Sequence, residues 1–201
     1  MAVYKFSNVS GFKNYQQYND FLAGNPAVIQ DNGAYFPLGE FTLASAQSSI
    51  TFSNIPQTYT HLQVRVLSRY TAGGNVEGGA YFRFNSDTAG NYSEHLLLGT
   101  GSAASAQGTA NTTEIWGPDT PGAGVTASVF GVSVLDILDY RNTNKYKTTR
   151  QLTGYDANGS GLVALSSGSW RSTSAITSIT FRATYTSFAI NSHFALYGVL
   201  A

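Results

Sequence analysis

Three histidines, His61, His95 and His193, are the only imidazoles in the chain. A metal or general-base role would need acidic or imidazole partners at ligand spacing, and none of the three has one. Each falls in an alternating apolar–polar run, which reads as a strand histidine with its ring hydrogen-bonded locally. Asp136 and Asp139 stand three apart beside Tyr140. On a strand, residues three apart point to opposite faces, so these two do not make a working carboxylate pair. A glycosidase would need two carboxylates across a cleft, roughly 5–10 Å apart, and the eleven acids are scattered. Asp156-Ala-Asn158-Gly-Ser160 opens like a calcium loop but lacks the later acidic ligands and the terminal Glu. It reads as a glycine-rich hairpin turn. Gly73, Gly74, Gly78 and Gly79 are followed by neither Lys-Ser/Thr nor a helix, which removes a phosphate loop. There is no cysteine, hence no disulfide and no thiolate site. The expectation is a non-enzymatic protein with no cofactor and no metal.

Residues suited to recognition are better represented. Arg141, Lys145, Lys147 and Arg150 form the one basic concentration, interleaved with Tyr140 and Tyr146. Lys145 and Lys147 alternate around Tyr146, which predicts two lysines on one solvated strand face, guarding an edge. The functional alternative is contact with an acidic surface polysaccharide or a neighbouring subunit. Rings stack on pyranose faces while hydroxyl and amide groups hydrogen-bond the sugar. Trp116, Tyr140, Arg141, Lys145, Lys147, Tyr155 and Asn158 are therefore the candidate surface-recognition residues. Trp170, after Ser166-Ser-Gly-Ser, fits a core position better.

Composition limits what such residues serve. Net charge is zero and charged residues are 11% of the 201, with Gly, Ser and Thr in their place. No basic stripe marks a nucleic-acid interface, and a near-zero charge favours self-association. Aromatics reach 13%, a profile that suits burial in an assembly as well as in a core. No run reaches the roughly 18 apolar residues of a membrane span, and the first residues lack a signal-peptide core. The expected setting is a particle assembled in a reducing cytoplasm.

Two regions follow from the pattern. Residues 1–47 carry nine aromatics, among them Tyr4, Phe6, Phe12, Tyr15, Tyr18 and Phe21, with few charges. Asn14, Tyr15, Tyr18, Leu22 and Gly24 predict one short helix. This region reads either as an edge strand and lid on its own domain or, as preferred here, as an attachment arm docking through those six rings to another protein. Residues 48–201 read as eight to ten short strands with regular turns, an all-β antiparallel, jelly-roll-like β-sandwich. Leu62, Val64 and Val66 predict one inward face, and Ile179, Phe181, Ala183 and Tyr185 another. Val125–Leu138 reads as the longest strand, with a bulge near Gly131 and Phe130, Val132 and Val134 in one phase beyond Val125–Val129. Residues 99–111, rich in Gly, Ala and Ser, read as a long flexible loop.

Several stretches also carry a resemblance. Ile50-Thr-Phe-Ser-Asn-Ile-Pro-Gln-Thr-Tyr59-Thr-His61-Leu62-Gln-Val-Arg65, Tyr81-Phe-Arg-Phe-Asn85, Ile137-Leu-Asp-Tyr140 with Asn144-Lys-Tyr-Lys147, and Phe194-Ala-Leu-Tyr-Gly198 resemble a β-sandwich module of tailed-bacteriophage virion proteins, prominently those of cyanobacterial phages. The likeness spans about residues 48–201. It implies a structural protein on the outside of a virion: a tail fibre or baseplate-attached appendage, a homotrimer, held by its arm to other virion proteins and presenting loops to host-surface polysaccharide. A capsid decoration protein and a stand-alone carbohydrate-binding module are the alternatives.

Overall fold

A computed structural model of the chain describes residues 34–72, 79–184 and 186–200. Twelve strands run in order: β1 (Tyr35–Thr42), β2 (Ser49–Phe52), β3 (His61–Ser68), β4 (Gly79–Phe84), β5 (Tyr92–Gly99), β6 (Ala104–Thr112), β7 (Ile115–Asp119), β8 (Gly131–Leu138), β9 (Lys147–Asp156), β10 (Gly161–Trp170), β11 (Ile179–Arg182) and β12 (His193–Val199). They form an eight-stranded sheet, β1-β12-β3-β8-β9-β10-β5-β6, and a four-stranded sheet, β2-β11-β4-β7. The protein is an all-β sandwich, and the nine strand pairs from β12·β3 to β5·β6 and β2·β11 to β4·β7 are antiparallel.

Alternation puts the core where the sequence expects it in the first half. Leu62, Val64 and Val66 of β3 face Ile50, Phe52, Phe82, Phe84, Ile179 and Phe181 of the small sheet, all buried. A chain of rings runs through this layer. Phe82, Phe84, Tyr92 and Trp170 lie within 5.5–6.4 Å of a neighbour, centroid to centroid, and Phe181, Phe194 and Phe188 continue it. Tyr92 can sit there because its hydroxyl donates to the Phe84 carbonyl and accepts from the Phe84 N–H. Trp170 is in the core and donates its indole N–H to Asp87 at 2.8 Å. The β9–β10 hairpin closes on Asn158-Gly159, both with positive φ, as a two-residue turn of this hand requires. Asp156 accepts the Asn158 N–H at 2.7 Å, so the apparent calcium loop is a self-capped turn.

Four expectations are corrected. Residues 104–112 are a strand, not a loop: the backbone of β6 pairs with β5 from Ala104 to Thr112. The strand expected from Val125 begins at Gly131. Arg69 gathers the carbonyls of Ala123, Val125, Thr126 and Val129 at 2.7–3.2 Å, which withdraws them from any ladder. Within β8 it is Leu135 and Ile137 that are buried, while Val132 and Val134 face solvent. The late strand is shorter than its pattern, Ile179–Arg182, with Ile176 and Ala183 buried beyond its ends.

Residues 35–42, assigned by the sequence to the arm, form edge strand β1, and the compact unit that holds the two sheets begins at Pro37. Tyr4, Phe6, Phe12, Tyr15, Tyr18, Phe21 and the expected helix lie outside the described residues.

Candidate functional site

The strands at the centre of the large sheet carry their polarity the wrong way round for a simple sandwich. Register aligns Arg65, Val134, Leu152, Leu165, Leu97 and Ala106 in one row across β3, β8, β9, β10, β5 and β6. The next row is Leu67, Val132, Gly154, Val163, Gly99 and Ala104. Both rows lie on the outer face, away from the small sheet. Leu152 is 57% exposed, Val132 and Val163 56%, and Leu97 55%. At strand spacings of about 4.8 Å and row spacings of about 7 Å, the two rows cover roughly 400 Å². That is as large as the biggest apolar patch on an ordinary monomer.

Gly154 sits between Val132 and Val163 and leaves a dip in this face. A Cβ there would meet the Leu162 carbonyl oxygen at 2.5 Å. The dip belongs to a depression of about 610 Å³ lined by Val132, Val134, Leu152, Val163 and the Tyr155–Gly161 hairpin. A polar row borders the patch on its other side. Asp136 accepts from Gln63 at 2.9 Å and pairs with Arg150 at 3.0 Å, and Gln63 in turn accepts from Arg65 at 3.0 Å. Asp136 and Arg150 thus neutralise one another at this border.

The opposite face of the same strands is buried and sets a polar cluster among Leu135, Leu162 and Ala164. Ser133, Thr149, Gln151, Thr153 and Ser166 point between the sheets, each at most 4% exposed. Asp119 of β7 lies over them, its backbone N–H donating to the Thr153 hydroxyl at 2.8 Å. Among the described residues, both Asp119 carboxylate oxygens, the Ser133 hydroxyl and both amide atoms of Gln151 have no hydrogen-bond partner. Burial pushes the Asp119 carboxyl up to about 7. The Trp116 indole beside it pulls the other way without reaching hydrogen-bond geometry. Glu94, nearby on β5, is likewise raised by burial and accepts the Trp116 backbone N–H.

The residues expected to recognise a surface are scattered by the fold. Tyr155 lines the depression and also packs on Leu96, Leu162 and Ala164. Asn158 is exposed in the turn at its rim. Arg141 is exposed at the far end of the sheet, with a bond to the Gln57 carbonyl at 3.3 Å. Lys145 is a loop residue paired with Asp139, and that pairing holds the Asp139 carboxyl below its usual range. His61 lies 3.6 Å from the same carboxylate, but its Nδ1 accepts the Asp139 backbone N–H, which assigns the proton to Nε2.

Trp116 is half-buried, stacked edge-on against Tyr81 and covering Gly79. Two candidates are corrected outright. Tyr140 is fully buried and donates its hydroxyl to the Pro56 carbonyl. Lys147 is also fully buried. It opens central strand β9, not an edge, and shares the inward parity of Thr149 and Gln151. Its ammonium donates to the carbonyls of Asn142, Lys145 and Thr173 at 2.6–3.3 Å, which replace water as its solvation. Burial lowers its pKa.

Among the described residues no three His, Asp or Glu side chains converge as metal ligands. His193 bonds Thr42 at 2.9 Å. Glu114 is engaged by Arg182 and Arg83 on the small sheet. Among the described residues, nothing covers the apolar outer face. No family model, no curated protein and no solved structure matches the chain.

Proposed function

We propose that the chain is a non-enzymatic structural protein of a tailed-phage virion, a tail-fibre or baseplate-attached appendage of jelly-roll type, whose large sheet packs against other subunits. The observation that carries the assembly role is the apolar outer surface of β8, β9 and β10, set over a buried face that holds a polar cluster. Val132, Val134, Leu152, Val163 and Leu165 are spent on the outside while Ser133, Gln151 and Thr153 are inside. A monomer gains nothing from that arrangement, because exposed apolar area stabilises only when something covers it. The virion setting rests on the resemblance of residues 48–201, and assembly in the host cytoplasm, attachment through the aromatic N-terminal segment and a homotrimeric state belong to the same reading.

A triple substitution, Val134→Thr, Leu152→Gln and Leu165→Thr, tests the face. The variant should fold and stay soluble yet fail to enter particles, as followed by cross-linking mass spectrometry of assembled virions. Normal incorporation of the variant would refute the assembly role. Cross-links to shell proteins, with none to tail proteins, would replace the appendage by a capsid decoration protein.

Host-surface polysaccharide is a second reading, favoured by the depression beside the β9–β10 hairpin, with Tyr155 in its lining and Asn158 at its rim. Its volume is within the usual range for small-ligand sites. Tyr155→Ala and Asn158→Ala should weaken binding of purified protein to extracted host polysaccharide, and unchanged binding would remove these residues from the contact.

A further inference from the structure

The four outer edges of the two sheets are not protected alike. β1 contains Pro37 and Glu40, β2 is four residues long, and β7 is five residues long and contains Pro118. Short length, proline and charge are the ordinary devices that keep one edge strand from pairing with another chain. β6 has none of them. It runs nine residues, Ala-Ser-Ala-Gln-Gly-Thr-Ala-Asn-Thr, and its residues from Ala104 to Asn111 are all exposed. It ends the sheet order beside β5, and among the described residues no strand takes up its outer backbone groups. Its small side chains bury almost nothing, so among the described residues the ladder to β5, with an Arg171 bond to Asn111 at its far end, holds it.

We propose that β6 pairs edge-to-edge with β6 of a second copy of this chain, antiparallel, about a two-fold axis perpendicular to the sheet. The occupant is the chain itself because β6 suits its own copy. An antiparallel strand meeting itself brings like residues close to one another, and any charge near the axis would face its own kind. β6 carries no charge. The pairing region is Ala104–Ala110, since a register shift at Asn111, whose φ is 58°, bends the far end away.

A perpendicular two-fold keeps the same face of both sheets on the same side. With the axis at Gln107, the midpoint of Ala104–Ala110, Ala106 lies opposite Gly108 of the second copy and Ala104 opposite Ala110, so the two outer apolar patches, which reach β6 at Ala104 and Ala106, meet corner to corner on one side of the joined sheet. The inference goes beyond the proposed function: it concerns an edge and not the face, and it sets a two-fold pair in place of the three-fold state of that reading.

The chain has no cysteine, which leaves a clean background for single introductions. Cysteine is placed in turn at Ser105, Gln107 and Thr109, and at exposed Thr148 as a control, in the full chain. Oxidation should link two copies at one or two of the β6 positions and not at Thr148. Gln107→Lys should leave the thermal midpoint unchanged and weaken the dimer about five- to tenfold in sedimentation equilibrium, since it sets like charges near the axis.

A wild-type protein that stays monomeric at about 100 μM, far above the Kd of an ordinary specific pair, would overturn the proposal. So would dimers that survive Gln107→Lys but dissociate on Leu152→Gln, an outcome that keeps the face and rejects the edge. Normal particle entry by the outer-face triple variant, with the β6 cross-link intact, would reject the face and keep the edge.

Discussion

The inner and outer faces of β8, β9 and β10 are made from the same twenty-eight residues and obey opposite rules. Near Trp170, Leu135 and Ile137 the inner face is an ordinary aromatic and aliphatic core. From Gln151, directly opposite Leu135, to Ser133 and Thr153 one row along, it turns polar while the outer face turns apolar. One part of the strands is thus written for folding and another for a contact outside the chain. Burial alone therefore does not identify a stabilising residue here, and exposure does not identify a dispensable one.

The sharpest way to break this comparison is to truncate one large side chain on each side. Phe181→Ala removes a fully buried ring and should cost about 3–5 kcal/mol in urea unfolding. Leu152→Ala, on the open face, should change the stability of the isolated chain by less than about 0.5 kcal/mol. Equal costs would mean that the outer face is already covered within the chain.

Asp119 gives the next largest effect, with a pH signature. Its folded carboxyl is raised to about 7 from the ordinary 3.8, so the folded state holds a proton that the unfolded chain releases. The Asp119 contribution to stability is therefore fully present below about pH 4, is lost as pH rises from about 4 to 7, and levels off above. The full loss is on the order of 4 kcal/mol. In Asp119→Asn this descent should vanish and the variant should be the more stable at pH 8. A wild-type profile that is flat across this range would mean that the carboxylate is solvated or paired.

Lys147→Met tests whether a charge inside is structural. It strands three carbonyls and should lower stability by about 1–3 kcal/mol. No loss would mean that those carbonyls find other donors. Ser133→Ala should have the smallest effect among the buried polar groups, neutral to about 1 kcal/mol stabilising, because it removes an unpartnered hydroxyl. A clear destabilisation would reveal ordered water bridging Ser133 to Gln151 and Asp119.

Much of the frame was legible in the residues. The period-two runs of β3 and β11, the turn at Asn158-Gly159 and the core position of Trp170 depend on local alternation and local turn chemistry, which a sequence carries in full. The absence of Cys, the low charge and the wide spacing of the acids were likewise plain. What a strand's period cannot carry is the identity of the face it points to. Val132, Val134 and Leu152 alternate as well outward as inward, because the same pattern serves a contact between sheets and a contact between subunits.

The ladder of β6 is also a tertiary decision. Nothing in Ala-Ser-Ala-Gln-Gly-Thr-Ala marks a strand by propensity, and only the backbone groups of β5 beside it make one. Lys147 was misread for a related reason: a lysine is written as solvated until three carbonyls from Asn142, Lys145 and Thr173 converge on its ammonium. The sequence determined that alternating strands would stack in two layers. The three-dimensional packing of those layers decided which of their faces was left for another molecule, since the small sheet covers one side of the large one and leaves the other open.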